Sequence, residues 1–384
     1  TVTNTETAIS AMNVENSSFT DLDLVSNNDA GLVFAGDGST NNLVDDVRFQ
    51  DNEKGIFLRE GTIGMTIQNS DFIENHEVAI KASGSSAHLI QNNYFEGQDG
   101  EKTIHLTGRS PDIEIRGNEI TASDGPKYAV QVGGESLRTV IDDNRIYGNS
   151  LGAISMGPPD GEITNNVIYG NGDPGILVEG ENTLVEGNEV YDNEYGVYLL
   201  GSGITGANNV VKNNAEWDVY AAEGATNNVL TDLVIDDAGT TVTVTGDAVD
   251  FALKGTDAPT PAAPVGYDAI GKYAEVTTTS ETGVVGLRMH YVSSDVTGVS
   301  EDELTVAVFD GTEWEGILGA GVETSQNYVY VNAHVEGVLG AVAGTGDIID
   351  PVADAGTDTT ALVDDPVTFD ASGSTDPGDG ATGI

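Results

Sequence analysis

The feature that most constrains this chain is a phrase, Asn-x-(Ile/Val/Phe) followed three residues later by another Asn, that returns about every 22 residues over the first 238 positions. Its apolar anchors are Phe19, Phe49, Phe72, Phe95, Ile120, Ile146, Ile168, Val190, Val211 and Val234. A unit this short cannot bury its apolar face alone and must stack on the next, so the fixed period predicts a solenoid.

Within each unit the apolar residues alternate in short runs broken by Gly and Asn, as in NNVIYGNGDPGILVEGENTLVEG (165–187), and no 3.6-residue stripe is present. That pattern predicts strands. The anchor lies in the first strand. A second carries Ile56, Ile80, Ile104, Val130, Ile154, Ile176, Val197 and Val219, and a third carries Ile67, Ile90, Ile115, Ile141, Ile163 and Val185. Three short strands and their turns make one rung of a three-sided parallel β-helix, with rungs about 4.8 Å apart.

The asparagines follow from that geometry, because a buried turn leaves backbone groups unpaired and an amide can both donate and accept. Asn93, Asn118, Asn144, Asn166, Asn188 and Asn209 lie two residues before their anchors; Asn52, Asn75, Asn149, Asn171, Asn193 and Asn214 lie three after. Stacked on successive rungs they are expected to form two amide ladders. The phrase Gly187-Asn188-Glu189-Val190, Asn193, Gly196-Val197-Tyr198-Leu199 resembles the NosD-like repeats of the right-handed parallel β-helix superfamily, well over 40–235 and loosely over 1–40. The resemblance implies the fold and leaves activity open, since the superfamily includes polysaccharide lyases, hydrolases, epimerases, adhesins and viral spikes.

Composition sets the environment. With 63 Asp+Glu against 14 Lys+Arg the formal charge is −49, yet 38% of the chain is hydrophobic and the repeats are regular, which argues against disorder. Such an acidic surface suits molar salt, where charge repulsion is screened, with an acidic calcium-binding protein of ordinary medium as the alternative. Fourteen scattered cations assemble no basic face, so nucleic-acid binding is not expected. There is no cysteine, hence no disulfide or thiolate metal site. No apolar run approaches 18 residues, so no membrane span is expected, and a chain that starts at Thr1 without a leader reads as a mature product or an excised piece. Asn16 opens a glycosylation sequon with Ser17 and Ser18.

Near residue 238 the repeat stops, and a β-rich run and a Pro/Ala-rich connector at 258–264 follow. Alternating strands at 273–279, 284–292, 303–311, 327–335 and 337–344 read as a β-sandwich. SEDELTVAVFDGTEWEGI resembles accessory sandwich domains of archaeal secreted proteins. The final segment, with Ala353-Asp354-Ala355-Gly356, Val367-Thr368-Phe369-Asp370 and Ser372-Gly373-Ser374-Asp376-Pro377, resembles the opening of a PKD-type Ig-like domain that stops early. The expectation is an all-β chain, a right-handed parallel β-helix followed by Ig-like β-sandwich domains, divided as 1–238, 239–349 and 350–384.

Functional residues are expected on the outer face, because alternation sends every second side chain to solvent. Along the second strands the outward column reads Phe57, Ala79, His105, Gln131, Ser155, Leu177, Tyr198 and Tyr220, flanked by Arg59, Lys81 and Glu179; along the first it includes Tyr147, Tyr169 and Tyr191. These tyrosines, with Tyr198 and Tyr220, are the candidate ligand-binding residues, because flat rings beside polar groups suit sugar faces, though aromatic pairing in a sheet needs no ligand. Arg59, Lys81 and His105 could neutralise a uronate or move a proton, but no tight acid/base pair accompanies them, so they read as cations on an acidic surface. The Asp-Pro-His phrase of alginate epimerases is absent; 171–175 is NGDPG. Asp173, Asp376 and Asp379 sit in Gly/Pro turns that suit calcium, the one ion the sequence favours, while the histidines lack the common offset copper would need. The reading is a non-catalytic extracellular or cell-surface (or virion-surface) protein of a halophilic archaeon, adhesive or glycan-binding, with glycans, cell-surface proteins or further copies of itself as expected partners. The alternatives are a polysaccharide lyase, hydrolase or epimerase and a viral spike or filament subunit.

Overall fold

A computed structural model of the chain describes residues 1–100, 102–122, 128–246, 251–278 and 284–344. The PKD-like segment, with Asp376 and Asp379, lies outside the described residues.

The repeats form three parallel strand ladders. The second-strand ladder runs from Thr7–Met12 through Lys54–Leu58, Val78–Ser83, Lys102–Thr107 and Ile176–Val178 to Trp217–Ala221. The first and third ladders meet at a single left-handed residue, which is why Asn, Asp and Gly recur there: Asn69, Asn92, Asp143 and Asn165 have φ of 51° to 55°. In the early rungs that bend falls inside a continuous strand, as at Asp46 (φ 55°) in Leu43–Gln50, which pairs with both Thr66–Gln68 and Asp71–Ile73.

The anchors stack in register, Phe49 on Phe72 on Phe95 with ring centroids 4.7 Å apart, then Ile120, Ile146, Ile168, Val190 and Val211, all buried. Both amide ladders form. Asn93 through Asn209 are linked by Nδ2 to Oδ1 bonds of 3.0–3.1 Å, and each Oδ1 also accepts the backbone N–H of the preceding rung's Asn. Among the described residues the other ladder links Asn27, Asn52, Asn75 and Gln98, and then Asn149, Asn171, Asn193 and Asn214, whose amide donates to the buried carboxylate of Asp218. Burial pushes that carboxyl up to about 6.

The last rung does not end as an open edge. Asn228–Val234 pairs antiparallel with Thr241–Gly246, which continues to Val285–His290, Tyr328–Ala333 and Gly321–Glu323. On the other side Trp217–Ala221 pairs with Phe251–Gly255, then Asp268–Thr278, Glu336–Ala343, Leu304–Phe309 and Trp314–Gly316. The expected strands of the second half are thus present, and one apolar core, from Ala11 to Ala343, runs through both halves. Segment 258–264 joins two neighbouring strands of one sheet, and Pro261 O accepts from Trp314 Nε1 at 2.7 Å. Antiparallel strands that pair with the final rung satisfy groups that would otherwise invite another chain. No helix among the described residues is long and apolar enough to cross a membrane.

Candidate functional site: the outer face of the second ladder

Register fixes the outward column as Phe57, Lys81, His105, Gln131, Ser155, Leu177, Tyr198 and Tyr220. The sequence expectation placed Ala79 in this column; Ala79 is buried and Lys81 stands opposite Phe57. The offset arises because the second strands open on a small inward residue after the bend. Gly55, Ala79, Gly175 and Gly196 occupy that position, and a Cβ on Gly196 would lie 2.3 Å from Val211 Cγ1. Ser155, expected outward, is also buried.

At the first end of the column Arg59 and Lys81 lie over the Phe57 ring, 5.1 and 5.6 Å from its centroid. Beside them is a cleft of about 460 Å³, lined in part by His76, Glu77, Lys81, Asp99, Lys102 and His105. Lys54 and Lys81 both reach Glu77, at 2.6 and 3.0 Å, and their bonds hold its carboxyl below the usual range although burial opposes them. His76 bridges Asp99 (3.1 Å) and Asp51 (2.7 Å), which raise its pKa. The structure therefore brings Arg59, Lys81 and His105 onto one surface. The carboxylate nearest Lys81, absent from the sequence expectation, is Glu77; its i,i+4 spacing from Lys81 was visible, but its approach to Lys54 crosses rungs.

At the other end Tyr198, Tyr220 and Tyr195 form a tilted cluster, with centroids 4.8–5.9 Å apart and planes 45–70° apart, so the rings do not cover one another's faces. Tyr128, whose phenol is pushed up by burial and by the charges of Asp173 and Glu179, lies against Gly152.

The first-strand tyrosines are arranged differently. Tyr147, Tyr169 and Tyr191 stack at 5.0 and 5.1 Å with planes 1–2° apart, so both faces of Tyr169 are turned to its neighbours. Arg145 bonds the Tyr169 hydroxyl through Nε (3.2 Å) and Nη2 (2.5 Å), and the Tyr147 hydroxyl donates to Glu119 at 2.8 Å. This ladder offers edges and charged groups to solvent.

Among the other expected positions, Asp173 is half-buried, and its carboxyl is raised by burial and by Glu194. Among the described residues the three acids within ligating distance of one another are Asp310, Glu313 and Glu315, on an exposed hairpin; Asp310 Oδ1 already accepts three bonds from Thr312 and Glu313. Asn16 is exposed, with φ 52°.

The family model for the right-handed β-helix region matches residues 1–95, 55–215 and 102–252. The chain belongs to the right-handed β-helix family. No curated protein matches this β-helix chain. Among solved structures it is similar to the periplasmic alginate epimerase AlgG, with TM-score 0.52 and 14% identity over 57% of this chain and 60% of that one. Two others are the A-module of an Azotobacter vinelandii mannuronan C-5 epimerase (TM-score 0.49, 17% identity, 59% of this chain and 73% of that) and the Dettilon tailspike protein (0.46, 13%, 89% and 86%). The β-helix chain thus spans about 60% of the length of AlgG. At these identities the likeness to AlgG is one of fold.

Proposed function

We propose that this β-helix chain is a secreted or surface-displayed protein that binds a polysaccharide lengthwise along the outer face of its second ladder, without turning it over. The observation that carries the reading is the column itself. It runs from Phe57, Lys81 and His105 to Leu177, Tyr198 and Tyr220 over seven rung steps, roughly 34 Å at about 4.8 Å per step. A hydroxyl-rich polymer needs aromatic faces and donors and acceptors of both signs, and the two ends of the column supply them.

The neighbourhood of Lys81, Glu77 and His105 at one cleft favours a second reading, an epimerase or lyase acting there. Against it, Glu77 is engaged by two lysines, and a base so held is poorly placed to take a proton. An extracellular home, adaptation to molar salt, an archaeal source, NosD-like ancestry, self-assembly and the three-part division at 238 and 349 belong to the same proposal, supported by the repeats and the −49 charge.

Titration of the full chain with a panel of neutral and acidic polysaccharides, alongside an assay for released product, separates the readings. Binding without turnover is expected, weakened at least tenfold by Tyr198→Ala with Tyr220→Ala and less affected by Tyr169→Ala. Product release lost in Lys81→Ala would replace this reading with the enzymatic one, and binding indifferent to Tyr198 and Tyr220 would remove the column as the site.

A further inference from the structure

We infer that the outer face of the antiparallel sheet beyond the β-helix carries a second, separate saccharide site, one that takes a sugar ring bearing a carboxylate. Residues opposite one another in an antiparallel sheet share a face, so pairing across three strands sets out the site. Thr243, Arg288 and Tyr330 form one row, Thr241, His290 and Tyr328 the next, and Thr245, Gly286 and Asn332 the row on the other side. The opposite face carries Val242, Val244, Leu287, Met289, Val329 and Val331, all buried. Hence this array is the solvent side of a sheet whose core side is already filled.

Gly286 leaves the middle of the array without a side chain of its own, so that Thr245 Oγ1 can close over it, and the Tyr330 hydroxyl lies across Gly321. The result is a cavity of about 460 Å³, the size of a small-ligand site.

The groups around it are those a uronate requires. Arg288 is exposed and makes no ion pair among the described residues, in a chain with 63 acids and 14 cations. It sits 5.0 Å over the Tyr328 ring, which orients the guanidinium plane without satisfying its N–H donors, and that fork matches a carboxylate. Glu323, beside Tyr328, also lines the cavity; Ser325 donates to its Oε1 through N (3.2 Å) and Oγ (2.6 Å), which offsets part of its charge toward a bound carboxylate. Tyr330 presents an exposed ring for a sugar face, and the Asn332 amide lies across Gly286 from the Thr245 hydroxyl, where ring hydroxyls would meet them.

The test uses the full chain carrying Tyr198→Ala and Tyr220→Ala, so that the proposed β-helix face is silenced and the two sites fail independently. Titration calorimetry with tetragalacturonate should show a remaining site, weakened at least tenfold by Arg288→Ala or Tyr330→Ala at an unchanged melting temperature. Maltotetraose and the methyl-esterified tetragalacturonate should bind at least tenfold more weakly. Absence of tetragalacturonate binding in that background, binding indifferent to both substitutions, or equal affinity for the ester would overturn the proposal.

Discussion

At the scale of the residue, the side chains that specify this fold are polar ones whose every group is used. Asn188 donates through Nδ2 to Ile163 O (2.8 Å), Glu186 O (3.2 Å) and Asn209 Oδ1 (3.1 Å), while its Oδ1 accepts two bonds of 3.0 Å from Asn166. Asn188→Ala is expected to cost about 1–3 kcal/mol by stranding buried carbonyls and an N–H. Asn188→Asp should cost more, since a buried charge would face acceptors. Urea midpoints equal to wild type would remove the ladder from the account of stability. His88 is a contrasting case, since its Nε2 is buried without a hydrogen-bond partner among the described residues. Its Nδ1 accepts the N–H of Met65 at 3.1 Å, as Asn42 accepts Ser17 and Asn228 accepts Ile204, while burial pushes its pKa down to about 3. The folded state then binds fewer protons than the unfolded one between about 6.5 and 3. Stability from this group is fully present above the upper value and declines as pH falls, by up to about 1.4 kcal/mol per pH unit. His88→Asn keeps the acceptor and should flatten that acid limb; an unchanged slope in unfolding free energy from pH 6 to 4 would contradict it.

At the scale of the element, each strand is too short to be stable alone and acquires its place from the rung on either side. Ile168→Ala or Ile176→Ala, each removing one buried member of a stacked column, should cost about 2–5 kcal/mol. Gly196→Ala should overpack against Val211 and the Asp218 carbonyl, at about 1–3 kcal/mol. Chemical unfolding of these variants in high salt checks both expectations. Much of this level was legible in the sequence, because a stacked rung converts sequence period directly into spatial neighbourhood: the anchors, both amide ladders and the register of Tyr147, Tyr169 and Tyr191 follow from spacing alone. Ala79 was misplaced because a bend inserts one inward residue ahead of the alternation. The facing of the tyrosine rings was not legible either, since spacing gives the side of a sheet and not the side-chain torsions. The Arg288 trough depends on pairing residues 241–246, 285–290 and 328–333, whose order in the sheet no repeat announces.

At the scale of the whole molecule, the same stacking that makes the fold legible concentrates its charge. In-register neighbours such as Glu119 with Arg145 and Arg116 with Asp142 pair opposite signs, but 14 cations cannot offset 63 acids. Over the repeats, residues 1–238, 39 acids face 11 cations, and that excess is spread over rungs about 4.8 Å apart, so each acid sees others within a few rungs along its own face. In molar salt the Debye length is about 3 Å and such pairs are screened; at 0.1 M it is about 10 Å and they repel across two rungs. Unfolding relieves that repulsion by spreading the charge over an expanded chain, so dialysis from molar to about 0.1 M salt should lower the melting temperature. The antiparallel sheets pair with the last rung and share its core, so the loss should appear as one transition followed equally by near-ultraviolet and far-ultraviolet circular dichroism. Replacing the salt with an uncharged osmolyte, with chelator present throughout, distinguishes screening from general exclusion effects and from divalent-ion binding. A melting temperature indifferent to salt under those conditions would mean that the acidic surface is already neutralised by bound or paired groups, and the salt-adapted reading would fall.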